Sequence, residues 1–192
     1  MNKLSLIVGL GNPGAEYAQT RHNAGFWYVQ QLANQYGISL KPESRFLGLS
    51  GRGTIEGHDV RLLLPSTFMN RSGQSVAPFV KFFQIPVQQI LIAHDELDMP
   101  AGQIRLKTGG GHGGHNGLRD IVPHIGNDFH RLRIGIGHPG SRERVSGHVL
   151  GKAPPAEQDL LNQAIEQALK QTHLLINGDI AKAMNQLNAF KP

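Results

Sequence analysis

The chain has 192 residues and no cysteine, and its 19 lysines and arginines outnumber 14 acidic residues to give a formal charge of +5. That length suits one domain with a sizeable core, and 39% hydrophobic against 17% charged residues excludes a disordered or fibrous chain. The lack of cysteine excludes a disulfide scaffold, a Cys-ligated zinc site and a thiol nucleophile.

In chain order, residues 4–10 (LSLIVGL) form a short apolar run ending near glycine, the pattern of a buried strand. Helical spacing follows over 26–36 and stops at Gly37. Residues 45–55 and 58–64 read as strands around a Glu56-Gly57 turn, a hairpin. A helix is expected over 69–83, with Pro78 as a kink, then a buried strand over 90–93 that leads into His94-Asp95-Glu96. Strands over 103–107 and 131–136 flank a glycine-rich loop and a helix near 118–125. Residues 155–176 carry one amphipathic stripe with Pro155 in the first turn. A last helix over 180–187 follows Asp179 as candidate N-cap. Alternating strands and helices predict one α/β domain with a mixed sheet. No apolar run approaches ~18 residues and no signal-peptide pattern opens the chain, so the expectation is a soluble, cytoplasmic protein.

The charge is unevenly placed. Residues 105–144 hold seven basic side chains against three acidic ones, whereas residues 151–192 hold four of each. Such a stretch fits a polyanionic partner or a solvated basic face. There are 24 glycines, and seven of the ten histidines lie between His94 and His148.

Several motifs carry candidate chemistry. GLGNPG (9–14) satisfies the dinucleotide pattern GxGxxG after a strand, but Pro13 removes a backbone donor and the acidic residue expected about 20 positions on is missing. GGGHGGHNG (109–117) lacks the lysine of a phosphate loop. Its His112-x-x-His115 spacing would suit a metal, with His94, Asp95 or His124 completing the set, yet ligands prefer braced elements to a glycine loop. The simpler reading is tight turns that hold His115 and Asn116 near a substrate. His22 and Asp95 both follow strands and could meet in one cleft as general base and orienting carboxylate. With no GxSxG elbow and no cysteine, no covalent nucleophile is advertised, which favours direct attack by water. Asn12, Asn70 and Asn116 each stand at an element boundary, placed either to cap it or to bind an amide or oxyanion.

Five separated blocks, IVGLGNPGAEYAQTRHNAGF (7–26), LLLPSTFMNRSGQSV (62–76), IAHDELDMPAGQIRLKTGGGHGGHNGL (92–118), FHRLRIGIGHP (129–139) and GHVLGK (147–152), resemble bacterial peptidyl-tRNA hydrolase in order and spacing. The resemblance covers essentially the whole chain, with the stretch from Ala153 onward matching only loosely. It implies an esterase that cleaves the bond between a peptide's C-terminal carboxyl and the ribose of a tRNA's terminal adenosine. It further implies one catalytic domain over 1–192, α/β with a mixed, mostly parallel sheet flanked by helices. The enzyme would be a cytoplasmic monomer without cofactor or metal. By resemblance His22 is the catalytic base and Asp95 its partner. Asn12, Tyr17, Met69, Asn70, His115 and Asn116 line the substrate cleft, and Arg105, Lys107 and Arg133 hold the tRNA acceptor stem and its 5′-phosphate.

Overall fold

The computed structural model describes residues 2–192. Seven strands form one sheet: β1 (Leu6–Gly9), β2 (Lys41–Glu43), β3 (Gly48–Ile55), β4 (His58–Pro65), β5 (Ile90–Glu96), β6 (Ile104–Thr108) and β7 (His130–Gly135). Their spatial order is β2-β3-β4-β1-β5-β7-β6. The four central strands, β4, β1, β5 and β7, run parallel, and antiparallel partners extend the sheet on both sides. All four residues of β1 are buried, as a central parallel strand with both faces covered requires. Alternation sends Leu6 and Val8 into one core and Ile7 into the other.

Among the described residues there are seven α-helices, and the longer ones cover the two faces. α1 (Ala24–Gln35), α5 (Pro155–Lys170), α6 (Thr172–Asn177) and α7 (Ile180–Asn188) supply Tyr28, Leu32, Leu161, Ile165, Ile176 and Leu187 to one core. α2 (Gly73–Phe82) and α3 (Asn116–Ile125) supply Val76, Phe79, Leu118 and Ile121 to the other. The five-residue α4 (Val145–Val149) adds Val149 to the first core, with Val145 packed against it. Among the described residues no helix is long and apolar enough to cross a membrane.

The hairpin forms as the sequence predicts, with Glu56 and Gly57 both at positive φ, the geometry that matches strand twist. Four expectations shift. The strand expected from residue 45 begins at Gly48, because Ser44–Phe46 make a 3-10 turn and Leu47 is left-handed (φ 51°). The helix expected over 69–83 splits into a 3-10 turn, Met69–Arg71, and α2. The stripe over 155–176 faces the core, with Leu169 partly buried, but its helix breaks at Gln171, where the Thr172 hydroxyl donates to the Leu169 carbonyl at 2.6 Å. Asp179 stands at the N-cap of α7 without a side-chain capping bond. Short β2 and α4 carry too little periodicity to have been read from the sequence.

The contact that positions everything else is made by two glycines. A Cβ on Gly25, at the start of α1, would overlap the Ala93 carbonyl oxygen, and one on Gly9 would overlap the Gly25 carbonyl. A Cβ on Gly11 would sit 2.7 Å from the Phe26 ring. Gly9 of GLGNPG and Gly25 of α1 therefore let the helix lie directly on β1 and β5. Gly25→Ala is expected to destabilise the fold by at least about 1–3 kcal/mol, read as a lowered midpoint in urea or thermal unfolding with activity lost in parallel.

Candidate active site

β1 ends at Gly9 opposite Ala93, whereas β5 runs on through His94, Asp95 and Glu96 paired only with β7. After β1 the chain turns to α1 on one face; after β5 it passes by way of β6 to α3 on the other. In a sheet of this kind the crevice at the carboxyl ends of the parallel strands is where ligands bind. Here it opens into a cleft of about 700 Å³.

Asp95 lies at the floor, 3% exposed. Its Oδ2 is 2.8 Å from Nδ1 of His22, carried by the 3-10 turn Arg21–Asn23 that leads into α1. Its Oδ1 is 2.8 Å from Nε2 of His115, the residue before α3. His115 Nδ1 accepts the backbone N–H groups of Gly117 and Leu118 at 3.1 and 3.3 Å, so it carries no proton. The proton of that ring must sit on Nε2 and point at Asp95. With both carboxylate oxygens facing a donor, His22 presents Nδ1–H to Asp95 and keeps the lone pair on Nε2. An imidazole with one unprotonated nitrogen is thereby held by a carboxylate, and His115 fixes that carboxylate.

The titration behaviour follows. Burial pulls His22 down, but the charge of Asp95 and its hydrogen bond outweigh burial and raise it above 6.5. Burial would push the Asp95 carboxyl up; the two imidazoles, by charge and by hydrogen bond, hold it well below the usual range. His94 is fully buried, with Nδ1 2.7 Å from the Asp95 carbonyl, and burial followed by the neighbouring His115 pushes it down to about 3, leaving it neutral.

His22, Asp95 and His115 also place ligand atoms within 4.8 Å of one another. The donor set does not suit a metal: the His115 Nδ1 lone pair is taken by two backbone N–H groups, so Nε2 holds a proton rather than a lone pair. The grouping weighed from sequence is not realised. His112 turns back to accept from Gly114 N–H at 3.0 Å, and the cluster contains neither His94 nor His124.

Around this core the amides are oriented. The Asn12 side-chain oxygen accepts from the Met69 N–H at 2.7 Å, which turns its NH₂ away from that bond. The Asn12 backbone is held at both ends by Asn23, whose amide accepts from its N–H (2.8 Å) and donates to its C=O (3.0 Å). Asn116 accepts from Arg119 Nη1 at 3.1 Å, which likewise leaves its NH₂ uncommitted. Asn70, Met69 and Tyr17 complete the cleft residues expected from sequence, and all of them line it. Tyr17 meets Phe68 edge-on at 6.2 Å, and Phe68 is 55% exposed at the mouth.

Sequence reasoning missed Asn23, Phe68 and Arg119, together with the wall that α4 builds from Val145 and Val149. Asn23 directly follows His22 and Phe68 directly precedes Met69, so adjacency to two singled-out residues was the available signal.

Arg105, Lys107 and Arg133 lie outside the cleft, on β6 and β7. Register sets Arg105 opposite Arg133 and Lys107 opposite Arg131, so four cations share one face of the strand pair. Arg131 is buried and donates to the carbonyls of Gly110, Gly111 and Asn127, which holds the glycine loop in place. Arg133 pairs with Glu96 at 2.9 Å, and Arg105 and Lys107 are exposed.

Comparison with known proteins identifies the family and the fold. The family model described as peptidyl-tRNA hydrolase matches residues 6–192. Peptidyl-tRNA hydrolase of Acinetobacter baylyi is 75% identical over 192 residues, covering all of both chains. That of Psychrobacter cryohalolentis is 64% identical over 188 residues, 98% of this chain and 97% of the relative. The crystal structure of peptidyl-tRNA hydrolase from Acinetobacter baumannii, 73% identical, superposes with a TM-score of 0.99 over 100% of this chain and 98% of that one.

The carboxylate's hold on His22 is open to direct measurement. In the folded protein the His22 imidazole should titrate above 6.5 by NMR. In Asp95→Asn, with the charge gone and burial retained, it should fall below 6.5.

Proposed function

Since the chain belongs to the peptidyl-tRNA hydrolase family, we propose that it hydrolyses the ester between a peptide and the terminal ribose of tRNA, with His22 as general base. The observation that carries this reading is the His22–Asp95–His115 arrangement, which leaves one imidazole nitrogen free and facing a cleft lined with amides.

His22 Nε2 takes a proton from a water as the water attacks the ester carbonyl. Asp95 keeps the proton on Nδ1 and stabilises the imidazolium that forms. The Asn12 NH₂, fixed by Met69 and Asn23, donates to the developing oxyanion. Asn70 and Asn116 hold the peptide backbone and position the water, with Arg119 setting the Asn116 amide. The released proton returns from His22 to the ribose oxygen as the tRNA leaves. No step calls for a cofactor or a covalent enzyme intermediate.

Phe68 offers a flat apolar face beside Tyr17, suited to stacking on a base of the single-stranded 3′ end. Arg105, Lys107 and Arg133 grip acceptor-stem phosphates through charge rather than sequence, as an enzyme serving many tRNAs requires. Residues 1–192 act as one catalytic domain. In this reading the enzyme works as a monomer in the cytoplasm, where translation makes its substrate.

N-blocked aminoacyl-tRNA should be cleaved with little action on the free aminoacyl form. His22→Ala should lower turnover by about 10²–10⁴ with folding intact; near-normal hydrolysis by that variant would remove His22 from the mechanism. The base must be neutral to act, so kcat/KM should fall as pH drops through the raised His22 pKa, an acid limb lying above 6.5. For tRNA binding, Lys107→Ala should weaken affinity and reduce the slope of log K against log salt by about 1.

A further inference from the structure

The turn that carries His22 is only three residues long, and a 3-10 turn of this size has little rigidity of its own. Asn23 ties it on one side, to the Asn12 backbone. On the other side the tie is Arg21. Its guanidinium forks onto Glu157 in the first turn of α5, with Nε to Oε1 at 3.0 Å and Nη2 to Oε2 at 3.4 Å. Nη1 donates to the His148 carbonyl in α4 at 3.0 Å. The Arg21 backbone N–H donates to the Gly151 carbonyl at 3.0 Å, and Thr20 bridges Lys152 next to it. A Cβ at Gly151 would lie 3.2 Å from Arg21 Nη1, so the guanidinium is packed directly against that segment.

These bonds connect two things that the mechanism keeps separate. One is the imidazole of His22, next in sequence to Arg21. The other is the cleft wall, because Val145, Ser146, Val149 and Leu150 line the site. A five-residue helix is too short to persist without tertiary anchorage, and Arg21 places a cation on a carbonyl of its last turn, the favourable end. We propose that Arg21 is a positioning residue for the hydrolysis, clamping α4 and the start of α5 onto the catalytic turn so that His22 meets Asp95 and the wall closes beside it. The proposal rests on His22 being the base.

A displacement of about 1 Å at a reacting group costs on the order of 10²-fold, so loss of the clamp acts on turnover as well as binding. The titratable groups facing His22 are Asp95 from β5 and His115 from the start of α3. Arg21 is directed away, toward Glu157 and the His148 carbonyl. Loosening the turn therefore reports through the His22–Asp95 bond. A tie that served only to hold the fold together would lower stability and leave that bond, and the pH profile it sets, unchanged.

The test compares Arg21→Ala, Arg21→Lys, Glu157→Gln and the double variant Arg21→Ala/Glu157→Gln with wild type and His22→Ala, on N-blocked aminoacyl-tRNA across pH. Circular dichroism and melting confirm that each is folded. Arg21→Ala should lower kcat by about 10- to 100-fold and move the acid limb to lower pH. Glu157→Gln, remote from the cleft, should do the same to a smaller extent, and the double variant should be little worse than Arg21→Ala. Lysine should restore only part, since it keeps the charge without the fork. Folded variants with the kcat and acid limb of wild type, or with changes confined to KM or melting, would overturn the clamp. If Arg21→Ala does not fold, Glu157→Gln decides by the same readings. An active His22→Ala overturns the base and the clamp together; an inactive His22→Ala beside fully active clamp variants overturns the clamp alone.

Discussion

A single buried carboxylate organises this site. Asp95 faces two imidazoles, one on each oxygen, and is 3% exposed. An isolated charge at such depth would be costly, and a buried carboxylate normally protonates to avoid it. Here two N–H donors keep it ionised, and the ionised form in turn dictates where their protons sit. His22 and His115 are chemically alike but receive opposite tautomers. His115 is fixed by the backbone N–H groups at the start of α3, and His22 is fixed by Asp95 alone, with its second nitrogen open to the cleft. One histidine caps a helix and the other is free to act as base, although both touch the same carboxylate.

That carboxylate reaches its position because β5 outruns β1. The last three residues of β5 project past Gly9, and the chain leaving β1 folds back as α1 across the gap. The glycine contacts at Gly9, Gly11 and Gly25 make the crossing close enough for the turn before α1 to reach Asp95. Packing between backbones thus sets the distance between His22 and Asp95. The basic face of β6 and β7 is a separate construction on the same sheet. Arg131 is buried to brace the glycine loop, whereas Arg105 and Lys107 remain at the surface where phosphate can reach them. A modest net charge therefore yields a local cationic strip.

The strands and helices with strong periodicity were legible from the residues: β1, α1, the β3–β4 hairpin and the stripe over 155–176. His22, Asp95 and the three asparagines stood out as candidates by type and position, whereas Tyr17 and Met69 came only with the family resemblance. What escaped has a common physical cause. β2 has three residues, all exposed, and α4 has five; neither is long enough to show a period, and both exist through contacts elsewhere in the chain. The break at Gln171 depends on a threonine hydroxyl choosing a carbonyl three residues back, a choice made locally but only in a folded setting. Asp179 was a reasonable cap by type, yet its side chain makes no capping bond.

The sequence by itself determined the element types and the chemical inventory, because these follow from periodicity and side-chain functional groups. It also determined what GLGNPG is suited for, since a proline and a missing acid already counted against a nucleotide. The tertiary structure decided which of ten histidines is held against a buried carboxylate at the cleft. His22 and Asp95 are 73 residues apart and His115 a further 20, and a tautomer is set by the partner at the far nitrogen. Hydrogen bonds between distant segments have no signature in local composition, so the protonation states on which the chemistry rests emerge only when the chain is folded.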